Sequence, residues 1–141
     1  MTEQQFSCEL PPAARSVTEA RRFVLAALST WGRDGLADTA ALLTSEVVTN
    51  AVLHARTPLT LAVSQVSDGV CVEVTDGSRR RPTLQRASGE ATNGRGIAML
   101  DRLADHWDVS LHQHGKTLRF TVSTERDPWA DFAEIEGLAE L

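Results

Sequence analysis

Three polar side chains open the reading. In "SEVVTNAVLHA", residues 45 to 55, Glu46, Asn50 and His54 recur every fourth position among apolar neighbours. At 100° per residue, Leu42, Leu43, Val47 and Ala51 define the side of a helix that faces a core, and the three polar groups fall among them. Burying a charge or an amide without a partner costs on the order of a few kcal/mol. Either the three groups satisfy one another, or something else sits against them.

Two further stretches could complete such a site. In "VCVEVTD", Val70, Val72 and Val74 share one face of a strand, so Asp76 ends that same face with a carboxylate. In "NGRG", Gly94 and Gly96 precede a helical pattern, where unpaired backbone N–H groups and the positive end of the helix dipole favour an anion. Each has a plainer reading: a solvated strip, an Asp-Gly turn, a helix cap. Together they describe a cavity with an acidic floor, a carboxylate and amide wall, and a phosphate-binding rim.

The elements that must hold these residues follow from periodicity. "FSCEL" (6 to 10), closed by Pro11 and Pro12, is a short strand at a sheet edge. Ser16 and Glu19 stand at capping-box spacing ahead of a helix carrying Val17, Ala20, Phe23, Val24, Ala27, Leu28 and Trp31, ended by Gly32 or Gly35. A second helix runs from about Asp38 to Ala55, before Pro58. "LTLAVSQV" and "VCVEVTD" form a hairpin around Ser67-Asp68-Gly69, and "WDVSLHQ" and "TLRFTV" another around "HGK". Between them, residues 77 to 93 have no period and read as a lid, and a helix from about Gly96 to His106 carries Ile97, Leu100, Leu103 and Trp107. Arg79, Arg80, Arg81 and Arg86 give that loop a basic character suited to phosphate contact, partner docking or simple solvation.

Length and composition bound the function. The chain has 141 residues and a formal charge of −5, which predicts one domain over 1 to 124, an acidic tail over 125 to 141, and no direct nucleic-acid partner. In the tail, Trp129, Phe132, Ile135 and Leu138 recur every third position, as in a short helix. Cys8 and Cys71 are too few for a disulfide scaffold and are not spaced as a metal site. No run approaches the roughly 18 apolar residues of a spanning helix, and "MTEQQFSCELPP" lacks the pattern of a leader, so a cytoplasmic protein without membrane contact is the expectation. Strands and helices alternate in blocks. That predicts an α+β fold with a mixed, mainly antiparallel sheet covered on one face by helices. Val48 and Val52 lie opposite Leu43 and Val47, so the second helix must be covered on both sides, by the first helix or by a second subunit in a homodimer.

The order of these motifs resembles the GHKL superfamily of ATP-binding domains, and within it the bacterial anti-sigma-factor serine kinases and their stand-alone actinomycete relatives. The resemblance covers residues 6 to 123. "SEVVTNAVLHA" is similar to the N-box, "VEVTDGS" to the first glycine box, and "GRGIAMLDRLADHWDV" with "GKTLRF" to the second glycine box and closing strand. It implies the two-layer Bergerat-type ATP-binding fold, with ATP and Mg²⁺ as cofactors. It also implies roles: Asn50 holds Mg²⁺ against the phosphates, and Glu46 accepts the proton of the attacking hydroxyl. His54 lies near phosphate or simply packs. Asp76 accepts the adenine exocyclic amine, Thr117 binds adenine through water, and Gly94, Arg95 and Gly96 cradle phosphate. The superfamily's first box usually reads Asp-x-Gly-x-Gly, whereas Asp76-Gly77-Ser78-Arg79-Arg80 replaces both later glycines.

The implied activity is that of an anti-sigma factor that sequesters a sigma factor and phosphorylates an anti-sigma-factor antagonist on serine. The alternative is a regulatory protein that works by partner capture, with weak or no ATP turnover. A histidine-kinase catalytic module ranks third for want of a phospho-accepting helix pair.

Overall fold

Alternation between residues 59 and 76 builds the centre of the sheet. The computed structural model describes residues 4–80 and 98–123. Strand β1 (Gln5–Leu10) is followed by helix α1 (Arg15–Thr30), a 3₁₀ turn (Asp34–Leu36), helix α2 (Ala37–Asn50) and a π-helical turn (Ala51–Ala55). Strands β2 (Leu59–Val66), β3 (Gly69–Asp76), β4 (His106–His112) and β5 (Gly115–Ser123) complete the sheet, with residues 98–103 helical before β4. The strand order is β1-β2-β3-β5-β4, and every pairing among the described residues is antiparallel. The mixed sheet expected from the sequence is, over these residues, purely antiparallel.

One face of this sheet is the core. Register aligns Leu61, Val74 and Leu118 in one row, and Val63, Val72 and Phe120 in the next. All six are buried in the same apolar cluster as Val24 and Leu28 of α1 and Leu43 and Val47 of α2. Helices therefore cover one face of the sheet, an α+β arrangement in two layers. On the open face Glu73 pairs with Arg119 at 3.0 Å, a half-exposed ion pair of the kind that adds little stability.

The second helix is covered by the first. α1 lies along α2, where Arg21 donates to the Ser45 hydroxyl, and Val48 is fully buried while Val52 packs on the core. Intramolecular packing thus satisfies the side for which a second subunit was one candidate. The helical run from Asp34 to Ala55 is long and apolar enough, by length and composition alone, to cross a membrane. Its apolarity here serves the two packing faces.

Local chemistry departs from the sequence reading in three places. Ser16 makes no capping box: α1 starts at Arg15 without a side-chain cap, and the Ser16 hydroxyl donates to the Pro11 carbonyl. Gly32, at φ +69°, ends the helix, and the Arg33 N–H reaches back to the Leu28 carbonyl at 2.8 Å, the longer bond of a Schellman motif. The third helix stops at residue 103, so Trp107 belongs to β4, from which its indole N–H donates to Asp101 at 2.6 Å. Lys116, read from the sequence as part of a turn, belongs to β5, and the turn itself is Gln113-His114. The tail over 125 to 141 lies outside the described residues.

One buried group in α2 lacks a partner among the described residues. The Thr44 hydroxyl is enclosed, yet among the described residues nothing accepts from it or donates to it. Replacing an unpaired buried hydroxyl by a methyl of similar shape removes the desolvation cost. Thr44→Val is therefore expected to raise unfolding stability by about 1 kcal/mol. Urea denaturation checks this, and a fall in stability would show that the hydroxyl is satisfied in solution.

Candidate functional site

Asp76 ends the core face of β3, as period two requires after Val70, Val72 and Val74. Its residue surface is only 6 % exposed, so the carboxylate needs donors. The Ser78 N–H donates to Oδ1 at 2.8 Å, closing the loop back on the strand end. Lys116 supplies the rest. Its Nζ donates to both carboxylate oxygens at 3.0 Å, with side-chain exposures of 11 % for the lysine and 4 % for the aspartate.

Cross-strand register explains this partner. Asp76 faces Lys116 directly and Thr75 faces Thr117, so Lys116 shares the core face with Asp76 while Thr117 points to the open face. There the Thr117 hydroxyl bonds the Thr75 hydroxyl at 2.7 Å and His112 Nε2 at 2.8 Å. The residue that faces Asp76 on the core side is thus Lys116, one residue before Thr117. The signal was present in the sequence: Lys116, Leu118, Phe120 and Val122 have one parity, visible only if β5 begins at Gly115.

Three chain segments meet at this corner. The π-helical turn ends at Arg56, which takes a left-handed conformation at φ 57°, and the chain then places Thr57 beside β3. Thr57 Oγ1 accepts from the Gly77 N–H at 2.7 Å. From the other side comes the β4–β5 hairpin. A Cβ on Gly115 would stand 2.1 Å from the Asp76 carbonyl oxygen, so no side chain fits there and the hairpin backbone lies against the end of β3. Arg79 clamps the same junction by donating to the His112 carbonyl at 2.6 Å.

The helix that ends here carries the polar strip. Glu46 and Asn50 are half-buried on α2, and among the described residues no hydrogen bond or ion pair engages either side chain. They do not satisfy each other, and partial exposure spares them full desolvation. His54 differs: it sits on the π-helical turn and is exposed. The i→i+5 turn begins at Ala51, so the strip does not continue as one face through His54. Gly94, Arg95 and Gly96, with Arg81, Arg86 and most of the expected lid, lie outside the described residues.

Among the described residues, Asn50 is the group suited to a magnesium ion. No group of three or more metal-ligating His, Cys, Asp or Glu residues occurs among the described residues. A half-buried amide oxygen at Asn50 fits an ion that keeps several waters and takes only one or two protein ligands beside phosphates. Thiol chemistry has no support. Both cysteines are free, and burial, followed by the Glu19 carboxylate for Cys8 and the Glu73 carboxylate for Cys71, raises the thiols above their ordinary range.

Removing one partner of a buried ion pair strands the other charge. Lys116→Met is expected to cost about 3 kcal/mol or more in unfolding free energy. The double variant Asp76→Asn/Lys116→Met should recover part of that loss. Chemical denaturation of the three proteins measures it, and a double variant less stable than Lys116→Met would show that the pair is not the source of the cost.

No curated protein matches the chain. A family model described as a histidine kinase-like ATPase domain matches residues 10–122, which spans β1's last residue to the penultimate residue of β5 and takes in α2, the end of β3 and the hairpin. Domains of this kind bind ATP, generally with Mg²⁺. With a buried carboxylate at the end of β3, a carboxylate and amide on α2, and that match over most of its length, the chain belongs to the histidine kinase-like ATPase domain family.

Proposed function

We propose that the protein is an ATP-dependent regulatory switch: an anti-sigma factor that holds a sigma factor in one state and phosphorylates an antagonist protein on serine in the cytoplasm. The observation that carries this reading is the convergence of Asp76 with the end of the helix bearing Glu46 and Asn50, through the Thr57–Gly77 bond. Asp76 takes the adenine amine and Asn50 holds the magnesium ion. The nucleotide, when bound, supplies the phosphoryl group. Glu46, one turn before Asn50, accepts the proton that the serine hydroxyl loses as its oxygen attacks, and ADP leaves. Such transfer needs mainly positioning and charge neutralisation.

A second reading has its own support. Ser78 and Arg80 stand where the superfamily's first box has glycines. That replacement suits a protein that captures its partner with weak or no turnover. The family alone does not decide between them.

Glu46 separates the two. A positioned base contributes on the order of 10²-fold or more to the rate and is dispensable for holding nucleotide. Glu46→Gln is therefore expected to keep ATP affinity within a factor of a few and to lower serine phosphorylation of the antagonist roughly 10²-fold. Calorimetry with Mg²⁺-ATP and labelled-phosphate transfer measure the two effects. Tight ATP and partner binding by the wild type with no transfer to any antagonist would select the capture reading.

A further inference from the structure

The Asp76–Lys116 pair has hydrogen-bonding capacity that the described residues do not fill. A carboxylate offers about four acceptor positions and an ammonium three donors. Among the described residues, Oδ1 accepts from Ser78 and Lys116, and Oδ2 from Lys116 alone. Beyond the two carboxylate oxygens, Nζ has among the described residues only a long 3.4 Å approach to the Ser78 carbonyl oxygen. The pair therefore presents an open acceptor position on Oδ2 beside an ammonium that can turn one N–H toward a ligand. Both groups are largely shielded from water, so hydrogen bonds to them are poorly replaced by solvent.

We infer that Lys116 is a base-reading residue of the nucleotide site: Asp76 Oδ2 accepts from the exocyclic amine of adenine while Lys116 Nζ donates to ring nitrogen N1, the adjacent atom on the same edge. This rests on the nucleotide-site reading above and assigns it a specificity residue. Adenine presents a donor beside an acceptor on that edge, matching the order carboxylate then ammonium. Guanine in the same pose sets its carbonyl oxygen against the carboxylate and its N1–H against the ammonium, two mispaired contacts. Thr117 cannot share this role, because its hydroxyl lies on the open face between Thr75 and His112.

A lysine that only neutralised Asp76 would behave in the opposite way. It would compete with the base for the carboxylate, and its removal would strengthen nucleotide binding. The sign of the effect distinguishes the two roles.

The test uses isothermal calorimetry with Mg²⁺ and two nucleotides, ATP and its 1-deaza analogue, in which N1 is replaced by a C–H. Wild-type protein is expected to bind the analogue about tenfold or more weakly, the scale of one hydrogen bond to a charged group. Lys116→Met keeps a stem of similar length without the ammonium. It should bind ATP about tenfold or more weakly than wild type and no longer distinguish the two nucleotides. Equal binding of both nucleotides by the wild type overturns the role of Lys116 and leaves the site reading in place. So does a Lys116→Met protein that binds ATP as tightly as wild type or more tightly. Wild-type binding of neither nucleotide overturns the site reading itself and this inference with it. Should Lys116→Met fail to fold, the wild-type comparison of the two nucleotides decides alone.

Discussion

A charged pair buried at the rim of the core constrains everything around it. Two ions removed from water are tolerated only when their geometry and remaining hydrogen bonds are good, and Asp76 and Lys116 obtain both from backbone placement. The strands must pair in the register that sets residue 76 against residue 116. The hairpin must come close enough for Gly115 to lie against the Asp76 carbonyl, and the loop after β3 must turn so that Ser78 donates to the carboxylate. A pair of this kind is weak as a source of net stability and strong as a constraint on register, because any slip strands both charges.

The helix side of the site obeys a looser rule. α2 is fixed by Leu43 and Val47 against the sheet and by Val48 within the core, leaving Glu46 and Asn50 on the strip between packed and open surfaces. That strip is where a polar group can stay hydrated without a protein partner and still be aimed by a rigid helix. The π-helical turn and left-handed Arg56 then end the helix abruptly and bring Thr57 to Gly77. Rigid placement of Glu46 and Asn50 and the joining of the helix end to the strand end are thus products of the same short segment.

The open face of the sheet has a different character. Thr75, Thr117 and His112 form a hydrogen-bonded string there, and Glu73 and Arg119 an exposed pair. These groups satisfy one another or water and stand apart, across the sheet, from the Asp76 carboxylate. The sheet therefore separates a face that packs against the helices from a face that carries these polar groups.

Alternation and helical spacing alone determined the element order, the edge position of the first strand, the hairpin at Ser67-Asp68, and the placement of Asp76 on the core face. They also supplied the motif order from which family membership was expected. These features depend on contacts local in sequence or on a fixed period, and both are legible without a fold. What only the tertiary structure decided is which residue faces Asp76, why Thr117 does not, and which surface covers Val48. The start of β5 differs by two residues from its reading as "TLRFTV", and the choice of where the turn ends is settled by the backbone of β3 lying against Gly115. Which side chains meet across β3 and β5 depends on pairing between segments about 40 positions apart, and long-range register is set by packing and strand pairing that no local pattern encodes.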